Sequence, residues 1–206
     1  MCRGLSSALE RAASYLDERN LVREEALRAT REVARLSRHV IHCIKSAGLE
    51  EARARASELR SLVRSLNGKL ASYPELYHSG LVYGALSEYA EAVLVLSIVE
   101  GGEVKGYEEL EIPPVPYLQG LGDAVGELRR LVLERVREGD FEGAWRLFKA
   151  MEEVLEGLSR LDYPEALVPG LRHKVDVARA LVDATLALLI DVEARWRLEQ
   201  ELRRSR

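Results

Sequence analysis

The sequence predicts an all-α fold, a bundle of about six to seven long antiparallel helices in a single domain over residues 1–206. Leu, Glu, Arg and Ala dominate a composition with 31% charged and 6% aromatic residues, which favours long helices. Apolar residues recur three and four positions apart, and no segment alternates as a strand would. The length suits one sizeable core, and no linker or shift in composition divides the chain.

Turn-forming residues set the expected ends of the first three helices. The apolar repeat of the first helix stops at Gly48, a residue type that commonly follows a helix. The second helix should end ahead of Pro74, because the residue before a proline disfavours helical backbone. Gly101 and Gly102 end the third. We expect these helices to cover about residues 6–47, 49–72 and 75–100.

Prolines and glycines divide the second half of the chain in the same way. Pro113, Pro114 and Pro116 indicate a loop over residues 103–116. Gly139 closes the fourth helix, and Asp140 is the expected cap of the fifth. We expect helices over about residues 117–138 and 141–161, and from residue 170 towards the C-terminus.

Glu88 and Glu91 are the only charged residues in the apolar stretch from residue 79 to 99. Their three-residue spacing puts both carboxylates on one helix face, which should pack against a neighbouring helix. An unpaired buried carboxylate is costly, so such a pair is protonated, ion-paired or bound to a cation. Two central acids argue against a membrane span, and we expect a buried core helix.

A second acidic pair, Asp123 and Glu127, shares one face of the fourth helix at four-residue spacing. Taken alone, this pair is typical of a solvated face. The glycines at positions 80, 84, 120, 122 and 126 are unfavourable in helix interiors and would permit close approach of the third and fourth helices. Four clustered carboxylates need a cation, and hard oxygen ligands indicate Mg²⁺, Mn²⁺ or Ca²⁺ rather than zinc.

Four arginines of the first helix form a basic stripe: Arg28, Arg31, Arg35 and Arg38. The stripe is either a strip that contacts the phosphates of a single-stranded nucleic acid or a solvated face paired with Glu24, Glu25 and Glu32. The formal net charge of −4 argues against a generally basic nucleic-acid binder, though not against such a local patch.

The cysteines and histidines predict no metal centre of their own. Cys2 and Cys43 offer neither a disulfide framework nor a Cys-x-x-Cys spacing. His39 and His42 share a helix face, but no carboxylate or cysteine pattern makes them a metal site. With no apolar core of a signal peptide near the N-terminus, we expect a cytoplasmic protein without a membrane partner.

The motifs around the acids resemble the translin family, especially its translin-associated factor X branch. The family's acidic motif, approximately QE-(F/Y)-V-E-A, appears as SEYAEA from residue 87 to 92. A second motif, YL-x-G-(V/L)-x-D-x-x-GEL-x-R, appears as YLQGLGDAVGELRR from residue 117 to 130. Residues 31–44 and 171–185 also resemble the family, so the resemblance covers most of the chain in order. Ser87 replaces a glutamine that is frequent in the branch, which removes no carboxylate.

The resemblance implies a helical bundle that assembles into a hollow, octamer-like homo-oligomer with single-stranded RNA or DNA inside, and it leaves room for a translin-like partner chain. It also implies that the factor X branch is a Mg²⁺-dependent endoribonuclease. Carried over to this chain, the metal-holding and catalytic acids are Glu88, Glu91, Asp123 and Glu127, with Mg²⁺ or Mn²⁺ as the cofactor. The translin branch has apolar residues in the first motif, so both glutamates place this chain on the catalytic side.

The sequence supports three hypotheses of different classes. The first is an endoribonuclease that acts on single-stranded RNA inside an oligomeric shell. The second is a shell that binds single-stranded RNA or DNA without cleaving it. The third is a structural assembly whose acids form buried salt bridges with Arg129 or Arg130.

Overall fold

A computed structural model describes residues 4–204 and confirms the all-α prediction, with seven helices and no strand in that range. In chain order the helices are α1 (Leu5–Ser46), α2 (Leu49–Leu70), α3 (Pro74–Tyr77), α4 (Gly80–Glu100), α5 (Pro114–Glu138), α6 (Phe141–Ser159) and α7 (Leu171–Arg204). Six of them are long, and α3 is a single turn of four residues.

Two predicted boundaries are wrong, one at Ser79 and one at Pro114. The expected third helix is split into α3 and α4, because Ser79 has extended backbone (φ −73°, ψ 152°) and its hydroxyl donates to the Leu76 carbonyl at 2.6 Å. Helix α5 begins at Pro114, three residues before the predicted start. A proline in the first turn removes only an N–H that has no partner within the helix, so these prolines start the helix instead of preceding it.

The predicted helix ends at glycine and aspartate are confirmed. Gly101 and Gly139 end α4 and α5 with positive φ values of 69° and 77°, the conformation that glycine adopts without strain. The Asp140 carboxylate caps α6 by accepting the Gly143 N–H at 2.9 Å. These caps hold α5 and α6 in a tight helical hairpin.

Helix α4 lies between two hydrophobic clusters and joins them. One cluster packs α4 against α1 and α2, and the other packs it against α5, with α6 and α7 on the far side of α5. Tyr89 and Leu94 face the first cluster and Val95 faces the second, all with no exposed surface. Helix α4 is long and apolar enough to cross a membrane by length and composition alone. Its burial on several sides is typical of a core helix and agrees with the prediction.

Candidate functional site

Gly120 brings the two acidic pairs together by allowing close contact between α4 and α5. A Cβ atom at this position would lie 2.5 Å from the Ser87 carbonyl oxygen and 2.8 Å from the Glu91 nitrogen, so only glycine fits. Asp123 follows one turn later on α5 and therefore faces the acidic segment of α4.

The other glycines do not serve this contact, contrary to the prediction. Gly80 and Gly84 face open space, and a Cβ at Gly126 would make only an ordinary contact with Leu181. Gly122 packs instead against α7, where an added Cβ would lie 3.0 Å from the Lys174 Cβ. The close approach of α4 and α5 therefore depends on one glycine.

The helices α1, α4 and α5 enclose a cavity of about 330 Å³ that contains three of the four predicted acids. Its charged lining residues are Arg38, Lys45, Glu88, Glu91, Glu127 and Arg130. His42 also lines the cavity, and its ring nitrogen bonds to the Ser46 hydroxyl at 3.1 Å. The fourth acid, Asp123, does not line the cavity, but it lies close enough for its negative charge to raise the pKa of Glu91.

Glu91 is the acid whose protonation the fold changes most. Burial raises the pKa of its carboxyl from 4.5 to about 7, with further contributions from the negative charges of Asp123, Glu127 and Glu88, opposed by Lys174. Within residues 4–204, its side chain makes no salt bridge and no hydrogen bond. Glu91 is thus a largely buried carboxyl at the meeting point of three other acids.

The other three acids are each paired with a cation. Arg38 donates to Glu88 at 2.9 Å, and Lys174 donates to both oxygens of Asp123 at 2.5 and 2.6 Å. These two pairs are partly exposed, so each contributes little to stability.

Glu127 is the most enclosed of the three paired acids. Its side chain is only 13% exposed and accepts from Lys45 at 2.5 Å and from Arg130 at 2.6 Å. The interpretation of Asp123 and Glu127 as a solvated face is therefore wrong for Glu127. The alternative of salt bridges to arginine holds for Arg130, whereas the Arg129 Nε atom is buried without a hydrogen-bond partner among the described residues.

The carboxylates surround one place without converging tightly on it. In the part of the chain described here, no three of the four acids offer oxygen atoms within 4.8 Å of one another. Four cations, two lysines and two arginines, stand beside the four acids. The donor set of hard oxygens fits Mg²⁺ or Mn²⁺, and such an ion would compete with the cations that now pair with the acids.

Comparisons with known proteins show the family to which this chain is related. Residues 21–184 match the sequence model of the translin family. The chain belongs to the translin family. An uncharacterized protein of Methanocaldococcus jannaschii is 32% identical over 193 residues, which cover 93% of this chain and 85% of that protein.

Solved structures of similar fold include two of AfC3PO. The crystal structure of AfC3PO matches with a TM-score of 0.84 and 34% identity over 91% of this chain and 98% of that one. A complex of AfC3PO with duplex RNA matches with a TM-score of 0.84 and 33% identity over 91% of this chain and 97% of that one. Apo-NeC3PO shares the fold alone, with a TM-score of 0.79 and 23% identity over 93% of this chain and 98% of that one.

The basic stripe of this translin-family chain leads along α1 to the cavity. Arg38, at one end, pairs with Glu88, and Arg35 pairs with Glu32 at 2.5 and 2.9 Å. Arg28 and Arg31 are exposed and have no ion pair within residues 4–204. Two of the expected acidic partners point elsewhere: Glu24 pairs with Arg23 and Glu25 with Lys69. The half of the stripe away from the cavity is therefore the more available for an external anion.

Lys45 and Lys174 are the site residues that sequence reasoning missed. They come from α1 and α7, 82 and 51 positions from the acids that they bind. The one available signal is composition, because the chain has only five lysines beside 25 arginines, and two of the five contact the acids. Nothing in the local sequence connects either lysine with an acidic motif.

Proposed function

We propose that this translin-family chain is a Mg²⁺- or Mn²⁺-dependent endoribonuclease of the translin-associated factor X type. The observation that carries the proposal is Glu91, a largely buried carboxyl without an ion pair among the described residues, next to three further acids. A carboxyl kept in this state costs stability, and perturbed acids in a cleft are typical of functional sites.

The proposed metal ligands are Glu88, Glu91 and Asp123. Glu127 either binds the ion itself or orients a group that binds it. When bound, the ion would activate water and stabilise charge on the scissile phosphate. The hard oxygen ligands of these acids fit such an ion. A cation that enters the site would also favour the ionised form of Glu91 over its protonated form.

The protein's own groups have separable roles in this proposal. Without the ion, the Glu91 carboxyl is partly protonated near pH 7, because its pKa is about 7, and it must lose that proton before it can bind a metal ion. Lys45 and Arg130 orient Glu127. Lys45 and Lys174, once displaced from their acids, are lysine ammonium groups at the site that can contact an RNA phosphate.

RNA binding and assembly are part of the same proposal. AfC3PO, which is similar over most of its length, has been solved with duplex RNA, whereas the resemblance to the family implies a single-stranded substrate. Both forms of RNA therefore belong in every binding and cleavage assay, with single-stranded DNA as a third ligand. We propose a homo-oligomeric shell, and a translin-like partner chain would be an additional subunit of it.

The second candidate function is a shell that binds RNA without cutting it. The observation that favours it is the pairing of Glu88, Asp123 and Glu127 with Arg38, Lys174 and Lys45, which neutralises these acids without any metal. The two functions differ in whether a divalent ion is needed at the acids.

The deciding experiment measures RNA cleavage with and without Mg²⁺ or Mn²⁺ in wild type and Glu91→Gln. Glu91 is the cleanest target because no salt bridge is lost with its charge. We expect Glu91→Gln to abolish metal-dependent cleavage while RNA affinity and oligomeric mass stay within about two-fold of wild type. The matched control is Glu134→Gln on α5, two turns beyond Glu127. If the wild type binds RNA but cleaves neither form of RNA with either ion, the endoribonuclease is excluded and the shell that only binds RNA remains.

A further inference from the structure

The turn between α1 and α2 places three metal-ligating side chains together, away from the four acids. His39 and Cys43 are four residues apart on α1 and share one face. Gly48, with φ of +93°, reverses the chain, and its N–H bonds to the Cys43 carbonyl at 3.0 Å. Glu51 in the first turn of α2 thereby returns to the level of Cys43. One ligand atom of each of the three side chains lies within 4.8 Å of the other two.

These three side chains make few other hydrogen bonds or ion pairs among the described residues. Neither ring nitrogen of His39 makes a hydrogen bond within residues 4–204, and its contact with the His42 ring is 6.3 Å between centroids. Cys43 is a free thiol, 1% exposed, without a hydrogen-bond partner among the described side chains. Glu51 accepts from the Arg55 Nε at 2.8 Å, which occupies one of its oxygens. The ring nitrogens of half-buried His39, the Cys43 thiol and one Glu51 oxygen are therefore not engaged by other side chains and can act as metal ligands.

We propose that His39, Cys43 and Glu51 bind Zn²⁺. One nitrogen, one sulfur and one oxygen ligand form a set that zinc favours over Mg²⁺, and three protein ligands leave a fourth position for water. In a tetrahedral zinc site the ligand atoms stand about 3.3–3.6 Å apart, so small side-chain rotations suffice to close the group. On binding, the Cys43 thiol loses its proton to solvent and coordinates as the thiolate.

The site is separate from the acidic cavity in residues and in chemistry. Its carboxylate, Glu51, belongs to α2, whereas the cavity acids belong to α4 and α5. His42, one position from Cys43, lines the acidic cavity, whereas His39 does not. A zinc ion here would link α1 to α2 beside the turn at Gly48 and add stability to that hairpin through its binding free energy.

Cobalt is the probe, because a Co²⁺–thiolate bond gives an absorption band that oxygen ligands do not. The full-length protein is titrated with Co²⁺ in a reductant that contains no thiol, followed by Zn²⁺. We expect a thiolate band that saturates at about one Co²⁺ per chain and disappears when Zn²⁺ displaces it. The band should be lost in Cys43→Ala and in His39→Ala.

Matched controls separate this site from its neighbours. Cys2→Ala and His42→Ala remove the other cysteine and the other histidine of the helix, and Glu91→Gln removes a cavity acid; all three should keep the band. Added Zn²⁺ should raise the melting temperature of the wild type but not of His39→Ala, whose side chain is half-buried and whose loss should leave the fold intact. The absence of a thiolate band in the wild type, or a band that survives in Cys43→Ala, would overturn the proposal.

Discussion

At the scale of single residues, the cost of keeping Glu91 in the core is the clearest physical consequence of this site. A carboxyl whose pKa is about 7 in the folded chain and 4.5 when exposed binds its proton more tightly in the folded state. Its stabilising contribution is present below pH 4.5 and is lost as the pH rises through 7. The whole of that loss is about 3 kcal/mol.

The first prediction is therefore a pH dependence of stability. With divalent ions chelated, Glu91→Gln should be more stable than wild type at pH 8 by up to about 3 kcal/mol, and close to wild type near pH 4.5. Glutamine keeps the shape of the side chain but cannot ionise. Denaturant-induced unfolding across this pH range measures the difference, and Glu134→Gln is the control. Equal stability of the two proteins at pH 8 would contradict the raised pKa.

Glu127 shows why the four acids are not equivalent targets. Its neutralisation would leave Lys45, a half-buried ammonium, without its partner, and breaking such a pair costs more than an exposed one. A loss of activity in Glu127→Gln would therefore combine two effects, the loss of a site carboxylate and a less stable fold. Glu91 has no such partner among the described residues, and Glu88 has an exposed one in Arg38.

At the scale of helices, α1 carries the surface that an RNA strand would use to reach the acids. We expect Arg28→Glu with Arg31→Glu to weaken RNA binding at least ten-fold and to reduce its salt dependence, because each phosphate contact releases a counterion. Cleavage per bound RNA should change little. Filter binding at several salt concentrations measures both effects.

The control for this prediction is Arg137→Glu with Arg146→Glu, which makes the same change in charge on α5 and α6. Neither arginine has an ion pair within residues 4–204, as for the stripe arginines. If both double variants lose affinity equally, the effect comes from net charge and the stripe is a solvated face.

The contact between α4 and α5 gives a prediction about two glycines. Gly120→Ala should destabilise the protein by about 1–3 kcal/mol, because its Cβ would meet the Ser87 carbonyl oxygen and Glu91 nitrogen of α4, and backbone cannot move aside cheaply. Gly84→Ala is the matched control: it faces open space in the interior of α4 and should gain about 0.5–1 kcal/mol from helix propensity. Thermal unfolding of the two variants tests both signs, and a neutral Gly120→Ala would refute the close contact.

At the scale of the whole molecule, the long helices leave apolar side chains uncovered at the two ends of the chain. Leu9 and Leu16 on α1 are 61% and 62% exposed, and Ile190 and Leu198 on α7 are 55% and 57% exposed. Large apolar side chains exposed along one helix are typical of a surface that packs against a partner. They support assembly of copies of this chain into the proposed shell.

The prediction is a homo-oligomer well above a dimer, measured by light scattering coupled to size exclusion. Leu198→Glu should lower the mass or broaden its distribution, because a charge would be buried in the interface. Val104→Glu, on the loop between α4 and α5, should leave the mass unchanged. A monomeric wild type at micromolar concentration would argue against the shell.

The sequence alone determined the helical class and most helix ends, because these depend on local chemistry, and it singled out the four acids as candidates by their spacing and by the resemblance to the translin family. Glycine and aspartate act on neighbouring backbone, so the ends at Gly101 and the cap at Asp140 were predictable. The start of α5 at Pro114 was not, since a proline is compatible with either a loop or a first helical turn. The split at Ser79 was not either, because it depends on the extended backbone of one serine and on its bond to the Leu76 carbonyl. The spacing of Glu88 and Glu91 was sufficient to single them out within an apolar helix.

Only the tertiary structure decided what surrounds those acids. Lys45 and Lys174 reach them from α1 and α7, and the turn at Gly48 brings Glu51 to His39 and Cys43, so that a metal-ligating group arises where sequence spacing showed none. Contacts between residues so far apart depend on how whole helices pack, and Gly120 permits the close approach of α5 to α4 within that packing. The protonation of the acids depends on this packing. Burial and neighbouring charges together raise the pKa of Glu91, whereas the other three acids are neutralised by cations from other helices.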